Sequence, residues 1–171
     1  MKTILSVVVC CALWQLAALA QAGVGGSMTD QDFVNLAAQT DMTEAHLGQL
    51  AQAQGESQAV KDLGQMLATD HTADYSQLGT IATKAGLTVP KGIDAKHDKM
   101  IAPFEKLKGK MFDRRYAKTM VKGHQEAIAA YKKEASDGQN SDIKAYAQQT
   151  LPTLEKHLKA AQDAEKAKTA S

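Results

Sequence analysis

The sequence predicts an all-α fold, a four-helix bundle with a short extra helix in its long central connection. Three observations carry this. Ala, Gln, Lys, Leu, Glu and Asp dominate from Thr29 onward, and most of these lose little freedom in a helix. Apolar residues recur every three or four positions through four long stretches, the period of one helical face. Runs of β-branched residues bounded by turns, which would mark strands, are absent.

Residues 1–22 precede the bundle and have the pattern of a secretory signal. Lys2 supplies the positive start, Ile4 to Ala20 the apolar run, and Ala20-Gln21-Ala22 the cleavage signature. The run is barely long enough to cross a bilayer, and no second apolar segment follows it, so no membrane anchor is expected after cleavage. Cys10 and Cys11 leave with it. The mature chain, starting near Gly23, is therefore expected in the periplasm or the medium without a disulfide. A single domain of this size can bury about two thirds of its surface unaided. Residues 23–29 are expected to be a flexible start, 30–163 the bundle, and 164–171 a frayed tail whose apolar residues are all Ala. The 171-residue sequence sets 20 Lys and Arg against 19 Asp and Glu, and loss of Lys2 balances them. No basic field exists to draw nucleic acid.

The first long helix is predicted over about 30–54, with Phe33, Ala37, Thr40, Glu44, Leu47 and Ala51 on one face; Gly55 ends it. The second runs over about 56–85, with Val60, Leu63, Leu67, His71, Asp74, Leu78 and Ile81 inward, and Gly86 as its stop. Leu87 to Gly92, containing Pro90, is a connection. A short helix over about 94–108 follows, interrupted by Pro103. The third long helix spans about 110–136, with Phe112, Tyr116, Met120, Gly123, His124, Ala127 and Tyr131 inward. Asp113 is expected to cap its inner turn and Arg114-Arg115 to pair locally. Asp137-Gly138 is a turn. The fourth starts near Ser141 as N-cap and carries Ile143, Ala147, Thr150, Leu154, His157 and Ala161, with Pro152 expected to kink it. The segment 87–109 is too long for a hairpin, so the chain should form two antiparallel hairpins joined by a traversing connection, with the second and third long helices parallel.

Four ligand-type side chains, Glu44, His71, His124 and His157, each stand inside the apolar stripe of a different helix, near its middle. At about 1.5 Å per residue they fall at similar heights, roughly 15–22 Å from one end of the bundle. A buried ionisable group is costly unless paired or bound to a metal, so the four mark a polar centre. Three imidazoles and one carboxylate suit one Zn, Fe or Cu ion. Asp70, Asp74 and Tyr116 are the expected surrounding partners, while His46 and His97 lie off the stripes and should be exposed. Met66 and Met120 read as core filling.

Glu44 with Leu47-Gly48-Gln49-Leu50-Ala51, the run Met66 to His71, Phe112-Asp113-Arg114-Arg115-Tyr116 with His124, and Leu151-Pro152-Thr153-Leu154 with His157 carry a resemblance. Over about residues 30–160 the chain resembles the exported bacterial proteins called DUF4142, which implies a ferritin-like four-helix bundle and export but no established activity. The usual di-iron bundles hold Glu-x-x-His pairs. This chain has none, and no nucleotide-binding or Ser-His-Asp pattern either. Three readings stand: a periplasmic transition-metal binder, a non-catalytic stress or envelope-interaction protein whose buried His/Glu network is metal-free, and a ferritin-type oxidoreductase. In the metal-free case the three imidazoles are expected to be neutral.

Overall fold

The computed structural model describes residues 28–167. The expected leader, residues 23–27 and residues 168–171 lie outside the described residues. Helix α1 spans Asp30–Gln54, α2 Gln58–Lys84, α3 Ala95–Glu105, α4 Gly109–Asp137 and α5 Ser141–Ala167.

Each boundary has a local cause. Thr29 closes a capping box with Asp32 and so ends the expected loose start one residue before α1. Ser57 caps α2 and Asp94 caps α3. At the end of α2, Gly86 takes a positive φ while the Leu87 N–H reaches back to the Ala82 carbonyl, a Schellman closure. The cap of α5 differs from expectation. The Asn140 side chain, one residue before Ser141, accepts the N–H groups of Asp142 and Ile143. The expected frayed tail also differs: α5 continues to Ala167 because Ala164 is buried.

Two carboxylates fix the wiring. Asp113, near the start of α4, accepts the Glu56 N–H at 3.0 Å and the Ser57 N–H at 2.8 Å. It therefore clamps the α1–α2 turn rather than capping its own helix. Asp30, at the start of α1, accepts the Gln139 and Asn140 N–H groups at 2.8 and 2.9 Å, clamping the α4–α5 turn in the same way. The two turns lie at opposite ends, so α2 and α4 run parallel, the wiring of a ferritin-like bundle. Arg115 lies 5.3 Å over the Phe104 ring and so ties α4 to α3.

The traversing segment is pinned along its length. Gln31 makes reciprocal bonds with the Thr88 backbone, Gln39 bonds the Gly92 carbonyl and the Asp94 N–H, and Tyr75 donates to the Pro90 carbonyl. Within the bundle the apolar core is divided. Phe33, Leu78, Tyr131, Ile143 and their neighbours fill the end near the α4–α5 turn. Leu47, Val60, Leu67, Phe112, Met120 and Ala161 fill the end near the α1–α2 turn. Between the two clusters lies a polar layer.

Candidate metal centre

Helix α1 contributes Asp41 and Glu44 to this layer, one turn apart on one face; α2 contributes His71, α4 His124 and α5 His157. All five are buried. The ring centroids of His71 and His124 are 5.8 Å apart, those of His71 and His157 5.2 Å, and those of His124 and His157 5.3 Å. One nitrogen from each ring falls within 4.8 Å of the others.

The outer nitrogen of every ring is held. His71 Nδ1 lies 2.8 Å from Asp41 Oδ1, His124 Nδ1 donates to the Met120 carbonyl at 2.9 Å, and His157 Nε2 lies 2.8 Å from Asp70 Oδ2. An oxygen acceptor on one ring nitrogen requires the proton to sit there, which fixes the tautomer of a neutral ring. What remains is one nitrogen per ring without a hydrogen bond: His71 Nε2, His124 Nε2 and His157 Nδ1. Glu44 Oε2 stands 3.0 Å from His71 Nε2 and 3.4 Å from His124 Nε2, close enough for charge pairing but not aligned as a hydrogen bond. Glycine at 123 makes room for this carboxylate, since a Cβ there would lie 3.1 Å from Glu44 Oε1.

Charge follows from these contacts. Burial pushes the His71 imidazole down, but Asp41 and Glu44 outweigh it and raise its pKa to about 10. Burial likewise works to raise Glu44, yet the histidines around it hold the carboxyl below its usual value. Burial pushes Asp41 upward against the opposing pull of His71. His157 is driven down to about 4 by burial, with Asp70 opposing and the other two imidazoles assisting. These directions run with the expectation of a neutral imidazole at His157 and against it at His71, beside Asp41 and Glu44.

All four residues picked out by the sequence meet in this layer. Asp70 sits against His157, as a surrounding partner would. Asp74 does not touch the imidazoles: it accepts the Tyr146 hydroxyl at 2.7 Å, and Tyr146 in turn stands 3.3 Å from the Tyr131 hydroxyl. Tyr116 is buried among apolar side chains with its hydroxyl unpartnered. His46 and His97 are both half-buried rather than exposed, His97 bonding Asp94 at 2.8 Å. Sequence reasoning missed Asp41. Its signal was present in the spacing Ala37, Asp41, Glu44, Gly48, but Thr40 took its place in the expected stripe.

The sequence matches the family described as Domain of unknown function (DUF4142) over residues 15–164. Two solved structures share the fold. CopM in the Cu(II)-bound form aligns with a TM-score of 0.68 at 16% identity, over 83% of this chain and 99% of that one. A DUF305 protein from Streptomyces coelicolor aligns with a TM-score of 0.66 at 12% identity, over 84% of this chain and 96% of that one. No curated protein matches. The family match takes in Glu44 and all three layer histidines, and the chain belongs to the DUF4142 family.

Proposed function

We propose that the protein binds one divalent transition-metal ion in its mid-bundle layer, through His71, His124 and His157 with Glu44 as the fourth donor. One observation carries this reading. Three buried imidazoles on three helices each have the outer nitrogen held by an oxygen acceptor, while the other nitrogen makes no aligned hydrogen bond, two of the three lying beside Glu44. That is the arrangement by which proteins orient histidine ligands. The proton on His71 that faces Glu44 would leave as the ion enters, exchanging one positive charge for two beside Asp41 and Glu44.

Among Zn, Fe and Cu, a nitrogen-rich site of this kind ranks Cu(II) tightest. The Cu(II) in the CopM structure belongs to that protein, and a likeness at 16% identity carries no residue across; the donors of this chain support the reading. Asp41 and Asp70 are turned to the backs of imidazoles, leaving Glu44 as the central carboxylate. This favours holding one ion over the carboxylate-bridged pair of a ferritin-type oxidase. The leader pattern of residues 1–22 supports action outside the cytoplasm, in the periplasm or the medium.

Equilibrium dialysis of protein purified without a His tag tests the proposal. One Cu, Zn or Fe ion per chain is expected, at roughly micromolar or tighter affinity. His71→Gln and His124→Gln should each weaken it far more than His46→Gln or His97→Gln. No uptake beyond nonspecific levels would leave the second reading, a metal-free network, which the existing pairing of His71 with Asp41 and Glu44 favours.

A further inference from the structure

Three clefts reach the polar layer, and they are not equivalent. The one between α2 and α5, about 460 Å³, is lined by two of the three layer imidazoles, His71 and His157, together with Asp70, Asp74, Thr150 and Lys156. The one between α1, α3 and α4, about 520 Å³, meets the centre only at Glu44, and its rim balances Asp94 and Glu126 against Lys96 and Lys122. The third, about 380 Å³, meets His71 and Asp41, and Asp41 already occupies the His71 Nδ1.

We infer that the ion enters through the α2–α5 cleft, with Asp70 as the carboxylate that takes it up at the mouth and passes it to the imidazoles; this rests on the metal reading above. Asp70 is the one partner of a layer imidazole with substantial solvent exposure, 32% at its side chain, while His157 beside it is 1% exposed. A hydrated dication therefore meets Asp70 before any donor of the centre. Asp74, one turn along α2, lines the same wall, but burial pushes its carboxyl up and the Tyr146 hydroxyl already engages it, so Asp70 carries the attraction.

Asp70 holds His157 Nε2 through Oδ2, so its Oδ1 is the oxygen that would take the ion while the ring stays oriented. The opposite wall can give way. Pro152 has no N–H to offer the Gln148 carbonyl, so α5 lacks one rung between Gln149 and Thr153, both of which line the cleft.

Stopped-flow loading of the metal-free full chain with Co(II), followed by its visible absorption, separates uptake from holding. Asp70→Asn should lower the association rate about tenfold, Lys156→Glu should raise it, and added salt should shrink both effects. Glu126→Gln at the α1–α3–α4 cleft should leave the rate unchanged. If Asp70 only orients His157, its substitution would raise the dissociation rate and spare association, and the path would be wrong. A slowed association in Glu126→Gln would overturn it as well. Co(II) bound at unaltered rates in every variant removes the path but keeps the site; no Co(II) spectrum in the parent chain removes both.

Discussion

Asp41 shows what a single residue contributes that periodicity cannot reveal. It is 1% exposed and spends its carboxylate on His71 Nδ1, so it fixes which His71 nitrogen faces the centre. Asp41→Asn keeps the shape and an acceptor but removes the charge. Isothermal titration should show metal affinity about tenfold to a hundredfold weaker, with helix content unchanged; affinity equal to the parent would show that Asp41 orients nothing. Thr40→Ala, at the neighbouring half-buried position, should have no such effect. The contrast explains what was legible. Glu44, His71, His124 and His157 are each the one histidine or glutamate of their stripe, so the stripe itself exposes them. Thr40 and Asp41 are adjacent polar residues either of which fits a 3.6-residue period, and the choice is made by His71, 30 positions away.

At the scale of elements, the four long helices were readable because their apolar spacing is regular and Gly55, Gly86 and Gly138 punctuate it. The end of α5 was not, because an alanine counts as apolar only when a neighbour comes close enough to cover it. Close approach also governs the α1–α2 pair. A Cβ on Gly48 would lie 2.5 Å from the Gly64 carbonyl oxygen and 2.9 Å from the Ala68 nitrogen, both backbone atoms that can yield only if the helices part. Gly48→Ala should cost about 1–3 kcal/mol in denaturant melts. Gly79→Ala, on α2 with nothing within 4 Å of the added Cβ, should gain roughly 0.5–1 kcal/mol from helix propensity. Equal effects would contradict the packing. The α4–α5 turn offers a test by pH. Burial, with Asp30 beside it, raises the Glu134 carboxyl to about 7, so the fold favours its protonated form. That contribution is complete below the ordinary carboxyl pKa of 4.5 and is lost as pH rises through 7. Glu134→Gln, permanently neutral, should melt above the parent at pH 8 and level with it at pH 4.5. A difference that does not change with pH would show that the Glu134 carboxyl titrates alike in the folded and unfolded chain.

Over the whole molecule the polar layer interrupts the apolar core at mid-height, and it draws on four helices from both hairpins. The hairpins are also joined by their apolar faces, the two aspartate clamps, the Asp74–Tyr146 and Lys84–Asp142 contacts and the pinned traversing segment. An ion held by α1, α2, α4 and α5 at once would bind the native arrangement and not the unfolded chain, in which the four donors are scattered over more than a hundred residues. Binding is then stabilisation: at a free concentration a hundred times the dissociation constant it amounts to about 2.7 kcal/mol. For a domain of this size each kcal/mol moves the midpoint by about 2–4 °C, so saturating Cu(II) or Zn(II) should raise Tm by roughly 5–10 °C and EDTA should reverse the rise. His124→Gln should abolish the rise while His46→Gln keeps it. Because His71 must surrender a proton to the entering ion, the rise should also shrink between pH 7.5 and pH 5.5. A rise that survives in His124→Gln would place the ion elsewhere than across the two hairpins, and one indifferent to pH would show that no imidazole gives up a proton to it.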